Sequence, residues 1–306
     1  MPSSSPPQPD PLVLGIFGPT ASGKSAVAEA IAERIPAELI SADSAQLYRD
    51  LPILTNQSPA ALVAVWELDH DASVAEYQEL AHAAVDRALA GGRTPVVTGG
   101  TGLYFRAALG GLDKPPAPEP GAHERWAALY DEQGAEAAHA ELVGRDPAAA
   151  AAVHPNDRRR IVRALELAEV GHSLRGERLW ADEARHPTLI AGLDVPAAEL
   201  ARRIEQRTRA MFDAGVEAEV RAALERPLSS TARKIMGLRE VAELPRDEAI
   251  AALAARTRRF AAYQRKWMRR IPGLVSVRGD RSPDEVADEI LALARGGQRL
   301  PAGRTG

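Results

Sequence analysis

The sequence contains no cysteine among its 306 residues, and this absence excludes three kinds of chemistry. Disulfide bridges, cysteine-bound zinc and a thiol nucleophile are all ruled out, and a cysteine-free chain suits a reducing compartment. No run of about 18 consecutive apolar residues is present, so the sequence predicts no membrane-spanning helix. Residues 1–10 lack the basic and apolar segments of a signal peptide, which favours a disordered tail on a cytoplasmic protein.

Charge is nearly balanced overall but unevenly distributed. The net charge is −4, while Arg and Lys cluster at residues 158–163, 202–209, 233–239 and 256–270. Local basic surfaces on an acidic protein are typical of a polyanionic partner that binds at a defined place. Solvated helix faces are the alternative interpretation of any single cluster.

Strand and helix patterns alternate along much of the chain. Buried strands are predicted from short apolar runs at residues 12–17, 38–41, 94–98, 188–193 and 274–277. Ser73 and Glu76 have the spacing of a capping box, so a helix is expected between Ser73 and the glycine pair that begins at Gly91. This alternation predicts an α/β fold with a mostly parallel sheet flanked by helices.

The pattern changes after residue 112. A proline-rich linker at 113–120 is followed by alanine-rich helical sequence that continues to about residue 185. We therefore predict a helical insertion domain at 113–187. The α/β core is then formed by residues 11–112 and 188–297, with a flexible tail at 298–306.

Residues 18–25 read Gly-Pro-Thr-Ala-Ser-Gly-Lys-Ser and match the phosphate-loop pattern between a strand and a helix. Glycines let backbone N–H groups approach phosphate oxygens, and the helix N-terminus adds partial positive charge. Lys24 supplies a full charge, and the Ser25 hydroxyl is a candidate Mg²⁺ ligand. The expected diphosphate-binding residues are Gly18, Pro19, Thr20, Ala21, Ser22, Gly23, Lys24 and Ser25. The loop alone does not separate kinases and NTPases from transferases with a diphosphate leaving group.

Two further segments follow strands that end at the same sheet edge as the phosphate loop. Asp43 follows the strand at 38–41, where it can accept a proton from a nucleophile or help to hold Mg²⁺. A carboxylate that caps the next turn is the alternative. Thr101 lies in the glycine-rich turn after the strand at 94–98, where it can donate to a leaving oxygen or hold a bound base. A purely structural turn is the alternative there.

Six segments in one order resemble the tRNA dimethylallyltransferases, also called tRNA isopentenyltransferases. They are the phosphate loop, Ile-Ser-Ala-Asp-Ser-Ala-Gln-Leu-Tyr at 40–48, Gly-Gly-Thr-Gly-Leu-Tyr-Phe at 99–105, His-Pro-Asn-Asp-Arg-Arg-Arg-Ile-Val-Arg-Ala-Leu-Glu at 154–166, and motifs at 215–221 and 257–269. The resemblance covers residues 12–270, and the segment at 154–166 is the most discriminating. The chain departs from the family pattern at 50–72, at Leu238 and at 262–263.

This resemblance implies a P-loop NTPase-like core and a prenyl transfer. The dimethylallyl group of dimethylallyl diphosphate passes to the N6 amine of the adenosine at position 37 of tRNA, beside the anticodon. The products are N6-isopentenyladenosine and diphosphate. Mg²⁺ is the implied cofactor, the anticodon stem-loop of tRNA is the implied partner, and a monomer is expected.

The resemblance also implies roles for individual residues. Catalytic roles fall to Asp43 as general base, Thr101, Lys24, and Arg221 as a diphosphate-binding arginine. The implied tRNA contacts are Asp43, Ser44, Ala45, Gln46, Thr101, His123, Arg159, Arg160, Arg163, Lys234 and Arg239. The amide of Gln46 suits an adenine edge, and Arg159 and Arg163 lie one helical turn apart, as contacts with an RNA backbone require.

Three other functions stay open on the residues alone. An adenylate isopentenyltransferase prenylates a free nucleotide, which needs no second domain. A P-loop metabolite kinase transfers a γ-phosphate from ATP. A non-enzymatic, NTP-gated RNA-binding module binds RNA with strong salt dependence and turns nothing over.

Overall fold

The computed structural model describes residues 12–112, 116, 118–174 and 184–296. The chain divides into two compact units, one within residues 1–112 and 180–306 and the other within residues 113–179. The predicted tails at 1–10 and 298–306 lie outside the described residues, as does part of the predicted linker at 113–120.

The strands belong to the first unit, and the helices to both. The strands are β1 (Val13–Phe17), β2 (Ala37–Ser41), β3 (Thr94–Gly99), β4 (Thr188–Asp194) and β5 (Val275–Arg278). The helices of the first unit are α1 (Lys24–Ala32), α2 (Pro52–Thr55), α3 (Val74–Ala90), α4 (Gly102–Leu109), then after the second unit α9 (Ala197–Asp213), α10 (Val216–Leu224), α11 (Leu238–Glu243), α12 (Arg246–Met268) and α13 (Pro283–Arg295). The helices of the second unit are α5 (Ala122–Gln133), α6 (Ala135–Arg145), α7 (Pro147–Ala152) and α8 (Arg158–Glu169).

The five strands form one sheet in the order β2-β3-β1-β4-β5, and every pairing is parallel. After β1 the chain forms β2 and β3 on one side of β1, and it later forms β4 and β5 on the other side. Ligands of open parallel sheets bind outside the carboxyl ends of the strands at such a reversal. The topology therefore places the expected binding site at the carboxyl end of β1, where the phosphate loop begins.

The core of the sheet is apolar because all five residues of β1 are buried. One face packs against α1 and α13, where Leu14 and Ile16 of β1 belong to one buried cluster with Ile31 and Ile290. Each such side chain stabilises the fold by roughly 1.5–3 kcal/mol when it is fully buried. The rigid sheet that results holds the strand ends at fixed positions.

Side-chain capping fixes where two helices begin, and the start of α3 was correctly predicted from the sequence. Ser73 accepts a hydrogen bond from the backbone of Glu76 at 3.1 Å at the start of α3. Ser282 and Glu285 form the complete capping box that begins α13. Helix α1 begins at Lys24, directly after the phosphate loop.

The segment that departs from the family pattern, residues 50–72, folds as a packed loop around the short helix α2. Four of its residues have positive φ, namely Asp50, Asn56, Leu62 and Ala64. Trp66 is buried in it and lies against the ring of Tyr48, with ring centroids 6.0 Å apart. The loop is therefore fixed by side-chain packing, with little regular secondary structure.

The second unit is a helical domain with its own core, formed by Leu142, Ile161, Leu165 and their neighbours. Asp157 begins α8 by accepting a hydrogen bond from the backbone N–H of Arg160. In neither unit is a described helix both long and apolar enough to span a membrane.

Candidate phosphate-binding active site

The turn between β1 and α1 has the backbone of a phosphate loop. Gly23 has φ of 93° and Ala21 has φ of 62°, which is the left-handed region that only glycine enters freely. A Cβ atom on Gly18 would lie 2.7 Å from Oγ of Ser22, so this position also requires glycine. Because α1 begins at Lys24, its first N–H groups have no partner within the helix and are available to an anion.

Lys24 lies within this turn. Its ammonium group donates a hydrogen bond to the carbonyl oxygen of Pro19 at 2.8 Å. Burial lowers the pKa of Lys24 to about 8; the Asp43 carboxylate opposes this shift, and the Arg207 guanidinium adds to it. These electrostatic couplings place Asp43 and Arg207 in the same neighbourhood as the lysine.

Arg207 on α9 donates a hydrogen bond to the phosphate loop, although no sequence motif marks it. Its Nη2 donates to Oγ1 of Thr20 at 2.6 Å. Burial lowers the pKa of Arg207, while the Asp43 carboxylate opposes the shift. The sequence contains one weak indication that Arg207 is not a surface residue: it lies beside Ile204 and Met211, whose helical spacing marks the buried face of α9.

Neighbouring arginines of the same basic cluster have a different role. Arg202 and Arg203 pair with Glu199 one turn away, and Arg209 pairs with Glu205. The exposed pairs of Arg202 and Arg209 contribute little to stability, and Arg203 is partly buried and also donates to the carbonyl oxygen of Gly279 at 3.3 Å. Composition alone could not separate these surface residues from Arg207.

Backbone hydrogen bonds join the carboxyl ends of the three strands that carry predicted site residues. The N–H of Gly18 after β1 donates to the carbonyl of Gly99 at 3.3 Å. The N–H of Ala42 after β2 donates to the carbonyl of Thr98 at 2.7 Å. The phosphate loop, the turn that carries Asp43 and the turn that carries Thr101 are therefore adjacent, as the sequence predicted for this edge.

Gln264 of α12 links two of these turns. Its side chain is 3% exposed, and its Oε1 accepts a hydrogen bond from the backbone N–H of Thr20 at 2.8 Å. A Cβ atom on Gly100 would lie 2.3 Å from Nε2 of Gln264 and 2.8 Å from the carbonyl oxygen of Gly18. Gln264 thus holds the phosphate loop against the glycine-rich turn, a contact that sequence spacing did not suggest.

Thr101 begins α4 without capping it. It occupies the N-cap position with φ of −97°, and its hydroxyl makes no capping hydrogen bond. The next residue, Gly102, packs so closely on Trp267 of α12 that a Cβ atom would lie 2.8 Å from the indole ring. The turn is positioned by α12, while the partly exposed threonine hydroxyl is left for other partners.

The Asp43 side chain stabilises its own turn and is still partly exposed to solvent. Its Oδ1 accepts a hydrogen bond from the backbone N–H of Ala45 at 3.0 Å, so the turn-capping interpretation is realised on one oxygen. The residue is nevertheless partly exposed, as are Ser44 and Ala45 beside it. Since Asp43 also acts electrostatically on both Lys24 and Arg207, it remains close to the phosphate loop.

The side-chain amide of Gln46 makes hydrogen bonds within the protein. Its Oε1 accepts from the hydroxyl of Ser41 at 2.8 Å, and its Nε2 donates to the carbonyl of Asn56 at 2.7 Å. The side chain is 8% exposed. In this arrangement Gln46 fastens the turn of Asp43 to the loop at 50–72 and offers no free amide edge to a base.

Arg221 does not lie at the phosphate loop. It is exposed on α10 and lines a surface pocket with residues of α10, α11 and the start of α12, none of which belongs to the loop. The helix that carries it begins after Gly215, whose φ of 91° breaks the path of α9. The structure therefore brings Arg207, and not Arg221, to the phosphate loop, and the diphosphate-binding role of Arg221 stays a prediction.

The remaining predicted tRNA contacts in the first unit are exposed cations. Lys234 ends a short 3-10 helix, Ala232–Lys234, and Arg239 lies on α11. Arg239 pairs with Glu243 one turn away at 2.8 Å. The structure places both at the surface and leaves their role in RNA binding a prediction.

In the second unit, the predicted tRNA contacts lie on α5 and α8. Arg159 and Arg160 are exposed in the first turn of α8. His123 on α5 and Arg163 on α8 both bond to the carboxylate of Glu166. Three of these four cations thus share α8, as the basic pattern at 158–163 predicts.

Ser25 is the predicted metal ligand. It lies in the first turn of α1 and is partly exposed beside Lys24. Its hydroxyl and the Asp43 carboxylate are both oxygen donors, which suit Mg²⁺. Within the described residues no group of three or more His, Asp and Glu could hold a metal ion by itself.

Comparison with known proteins gives a consistent result. The sequence matches the family described as IPP transferase over residues 46–271. A tRNA dimethylallyltransferase from Streptomyces griseus subsp. griseus is 38% identical over 305 residues, which cover 94% of this chain and 97% of the relative. The tRNA dimethylallyltransferase of Thermobifida fusca is 41% identical over 301 residues, with 92% and 93% coverage.

Solved structures agree with these sequence matches. The full-length tRNA isopentenylpyrophosphate transferase of Bacillus halodurans is 29% identical to this chain and has a TM-score of 0.67. The match covers 95% of this chain and 97% of that structure. A eukaryotic dimethylallyltransferase acting on tRNA shares the fold, with a TM-score of 0.75 at 20% identity over 96% of this chain and 81% of that one. Because the family match and the relatives span most of its length, this chain, with its P-loop NTPase-like sheet, belongs to the IPP transferase family.

Proposed function

We propose that this protein transfers the dimethylallyl group of dimethylallyl diphosphate to the N6 amine of adenosine 37 in tRNA, releasing diphosphate. The observation that carries the proposal is the meeting of two cations and one carboxylate at the phosphate loop. Lys24 donates to the carbonyl of Pro19 and Arg207 to the hydroxyl of Thr20, both cations are partly buried, and the Asp43 carboxylate acts electrostatically on both of them. Kinases share a phosphate loop, but the chain's family and its relatives favour prenyl transfer.

The phosphate loop and its cations suit a diphosphate leaving group. Negative charge builds on the diphosphate as its bond to the prenyl carbon breaks. Lys24, Arg207 and the N–H groups at the start of α1 are arranged to stabilise that charge without reorganisation. Because both cations are desolvated, their attraction to an anion is stronger than it would be in water.

Asp43 and Thr101 suit the attacking side of the reaction. An adenine amine is a weak nucleophile, so a carboxylate that removes its proton as the new bond forms is an advantage. Asp43 has one oxygen committed to Ala45, which leaves the other for the amine. Thr101 presents its uncommitted hydroxyl from the adjacent turn.

Mg²⁺ is proposed as the cofactor. The ion would neutralise charge on the diphosphate oxygens. The Ser25 hydroxyl would hold it together with diphosphate oxygens and water, because Mg²⁺ retains waters and substrate ligands readily.

The RNA substrate must present a base that is reachable. An adenosine inside a stacked loop has to be extruded before its amine can enter a site at a sheet edge. The exposed cations Arg159, Arg160, Lys234 and Arg239 are proposed to hold the RNA backbone of the anticodon stem-loop. Acting on tRNA also favours a cytoplasmic location, and we expect the protein to work as a monomer.

A transfer assay tests the function directly. Purified protein is incubated with Mg²⁺, radiolabelled dimethylallyl diphosphate and an anticodon stem-loop with A36 and A37, beside AMP and ATP as acceptors. Label on the stem-loop that is lost when A37 is replaced by G establishes the proposal. Label on AMP would instead identify a free-nucleotide transferase, and transfer to none of the acceptors would refute prenyl transfer.

A further inference from the structure

A buried carboxylate in the second unit joins two of the predicted RNA contacts. The side chain of Glu166 on α8 is 5% exposed. Its Oε1 accepts from Nδ1 of His123 on α5 at 2.7 Å, and its Oε2 accepts from Nη1 of Arg163 at 2.8 Å. Both oxygens of the carboxylate are therefore committed to cationic or ionisable partners.

The partners, unlike the carboxylate, face solvent. The side chain of His123 is 66% exposed and that of Arg163 is 35% exposed. With Nδ1–H of His123 given to Glu166, the other ring nitrogen, Nε2, is left for an external group, to which it donates in the imidazolium form of the ring. The Arg163 guanidinium likewise keeps further N–H donors beyond the one it gives to Glu166.

A carboxylate one turn along α8 shows a different arrangement between the same two helices. Glu169 accepts from Nε1 of Trp126 at 3.0 Å and from Nη2 of Arg125 at 2.7 Å. Trp126 packs against the apolar core of the unit, so Glu169 anchors a core side chain. Glu166 bonds instead to two side chains that are both accessible to solvent.

Burying a carboxylate is costly unless it is well bonded, and apolar packing could have joined α5 to α8 without that cost. The Glu166 carboxylate is nevertheless present, and it holds two solvent-accessible donors, His123 and Arg163. Fixed N–H donors are what phosphate oxygens of an RNA backbone require, because charge-assisted hydrogen bonds depend on geometry as well as charge.

We propose that Glu166 is a positioning residue that holds His123 and Arg163 as paired donors to phosphates of the RNA backbone. The inference rests on the proposed function, because it requires RNA as the partner. Arg159 and Arg160 extend the same donor surface along the first turn of α8.

The test compares Glu166→Gln with Glu169→Gln as a matched control. Each change removes one negative charge from the same helix, and long-range electrostatics alone predict that both tighten RNA binding. Positioning predicts the opposite for Glu166→Gln, because the amide has one accepting side and cannot hold the Arg163 guanidinium and the protonated His123 ring together. We expect the KM for the anticodon stem-loop to rise about three- to tenfold, with kcat and the KM for dimethylallyl diphosphate unchanged.

Direct binding of the stem-loop, measured by fluorescence anisotropy across a salt series, supplies a readout that a structural role would not move. Loss of about one phosphate contact in Glu166→Gln should reduce the slope of log K against log salt by about 0.7–0.9, while Glu169→Gln keeps the wild-type slope. A stem-loop affinity of Glu166→Gln equal to or tighter than wild type, or equal weakening in both variants, would overturn the proposal.

A further variant keeps the test decisive if Glu166→Gln melts early. In the His123→Ala/Arg163→Ala background Glu166 has no donors to hold, so adding Glu166→Gln should leave stem-loop affinity unchanged or slightly tighter, as loss of a negative charge alone predicts. Additional weakening there would show that Glu166 acts through the fold. Failure of wild-type protein to bind or label the stem-loop would count against the proposed function itself, separately from any effect of these variants.

Discussion

Replacing Arg207 by alanine should weaken the use of dimethylallyl diphosphate while leaving the fold intact. The guanidinium donates to Oγ1 of Thr20 at 2.6 Å and lies beside Lys24 in a desolvated part of the site. Its remaining N–H donors are therefore close to where a bound diphosphate would lie. Removing it deletes one of two partly buried cations that would face the leaving group.

The magnitude follows from the strength of a charge-assisted hydrogen bond. Such a bond to a charged group contributes about 1.5–3 kcal/mol, which corresponds to a fall of about 10- to 150-fold in kcat/KM for the diphosphate substrate. Because charge on the leaving group increases as the bond breaks, part of the loss should appear in kcat.

Stability should respond in the opposite direction. Burial lowers the pKa of Arg207, which means that the charged form is disfavoured by the folded environment. Arg207→Met keeps the apolar stem and removes the charge, so its melting temperature in the absence of substrate should equal or exceed that of wild type.

The assay is steady-state transfer at saturating stem-loop with varied dimethylallyl diphosphate, and Arg221→Ala is the control. Both changes remove one positive charge from the first unit, but only Arg207 reaches the phosphate loop. We expect less than about a threefold effect for Arg221→Ala, as for a surface substitution away from the site. A large loss for Arg221→Ala with a small one for Arg207→Ala would refute the placement of the diphosphate.

Three further predictions test other parts of the site. Since the pKa of Lys24 is lowered in the folded protein from 10.5 to about 8, kcat/KM for dimethylallyl diphosphate should fall above pH 8. Between pH 8 and 10.5 the unfolded chain binds more protons than the folded chain, so the free energy of unfolding should rise with pH in this range. Denaturant titrations should show this rise in the wild type relative to Lys24→Met. Asp43→Asn should lower single-turnover transfer about 10²- to 10⁴-fold, and near-normal transfer would contradict its role as base. Gly100→Ala, whose Cβ would lie 2.3 Å from Gln264, should destabilise the fold by about 1–3 kcal/mol in thermal melts, whereas Gly111→Ala, with nothing within 4 Å of its Cβ, should have little effect.

Much of the fold follows from short-range sequence patterns. The apolar runs correctly predicted β1 to β5, and the phosphate-loop motif correctly predicted a tight turn that leads directly into α1. The capping box of Ser282 and Glu285 marks the start of α13. Each of these features depends on a few consecutive residues, so it can be predicted without knowledge of the rest of the chain.

Side-chain availability was harder to predict. Gln46 suited a base edge by residue type, yet its amide is bound within the fold by Ser41 and the loop at 50–72. Arg221 suited a phosphate by charge, yet it faces a pocket formed by other helices. Residue type states what a group can bind, whereas packing decides which partner reaches it.

The sequence by itself determined that this protein has a parallel α/β core with a phosphate loop at the end of β1, because those features depend on local backbone geometry and apolar periodicity. Only the tertiary structure decided which distant side chains complete the loop. Arg207 and Gln264 meet Thr20 across 187 and 244 residues of chain, respectively. Their positions depend on how α9 and α12 pack in the first unit, which no local pattern encodes.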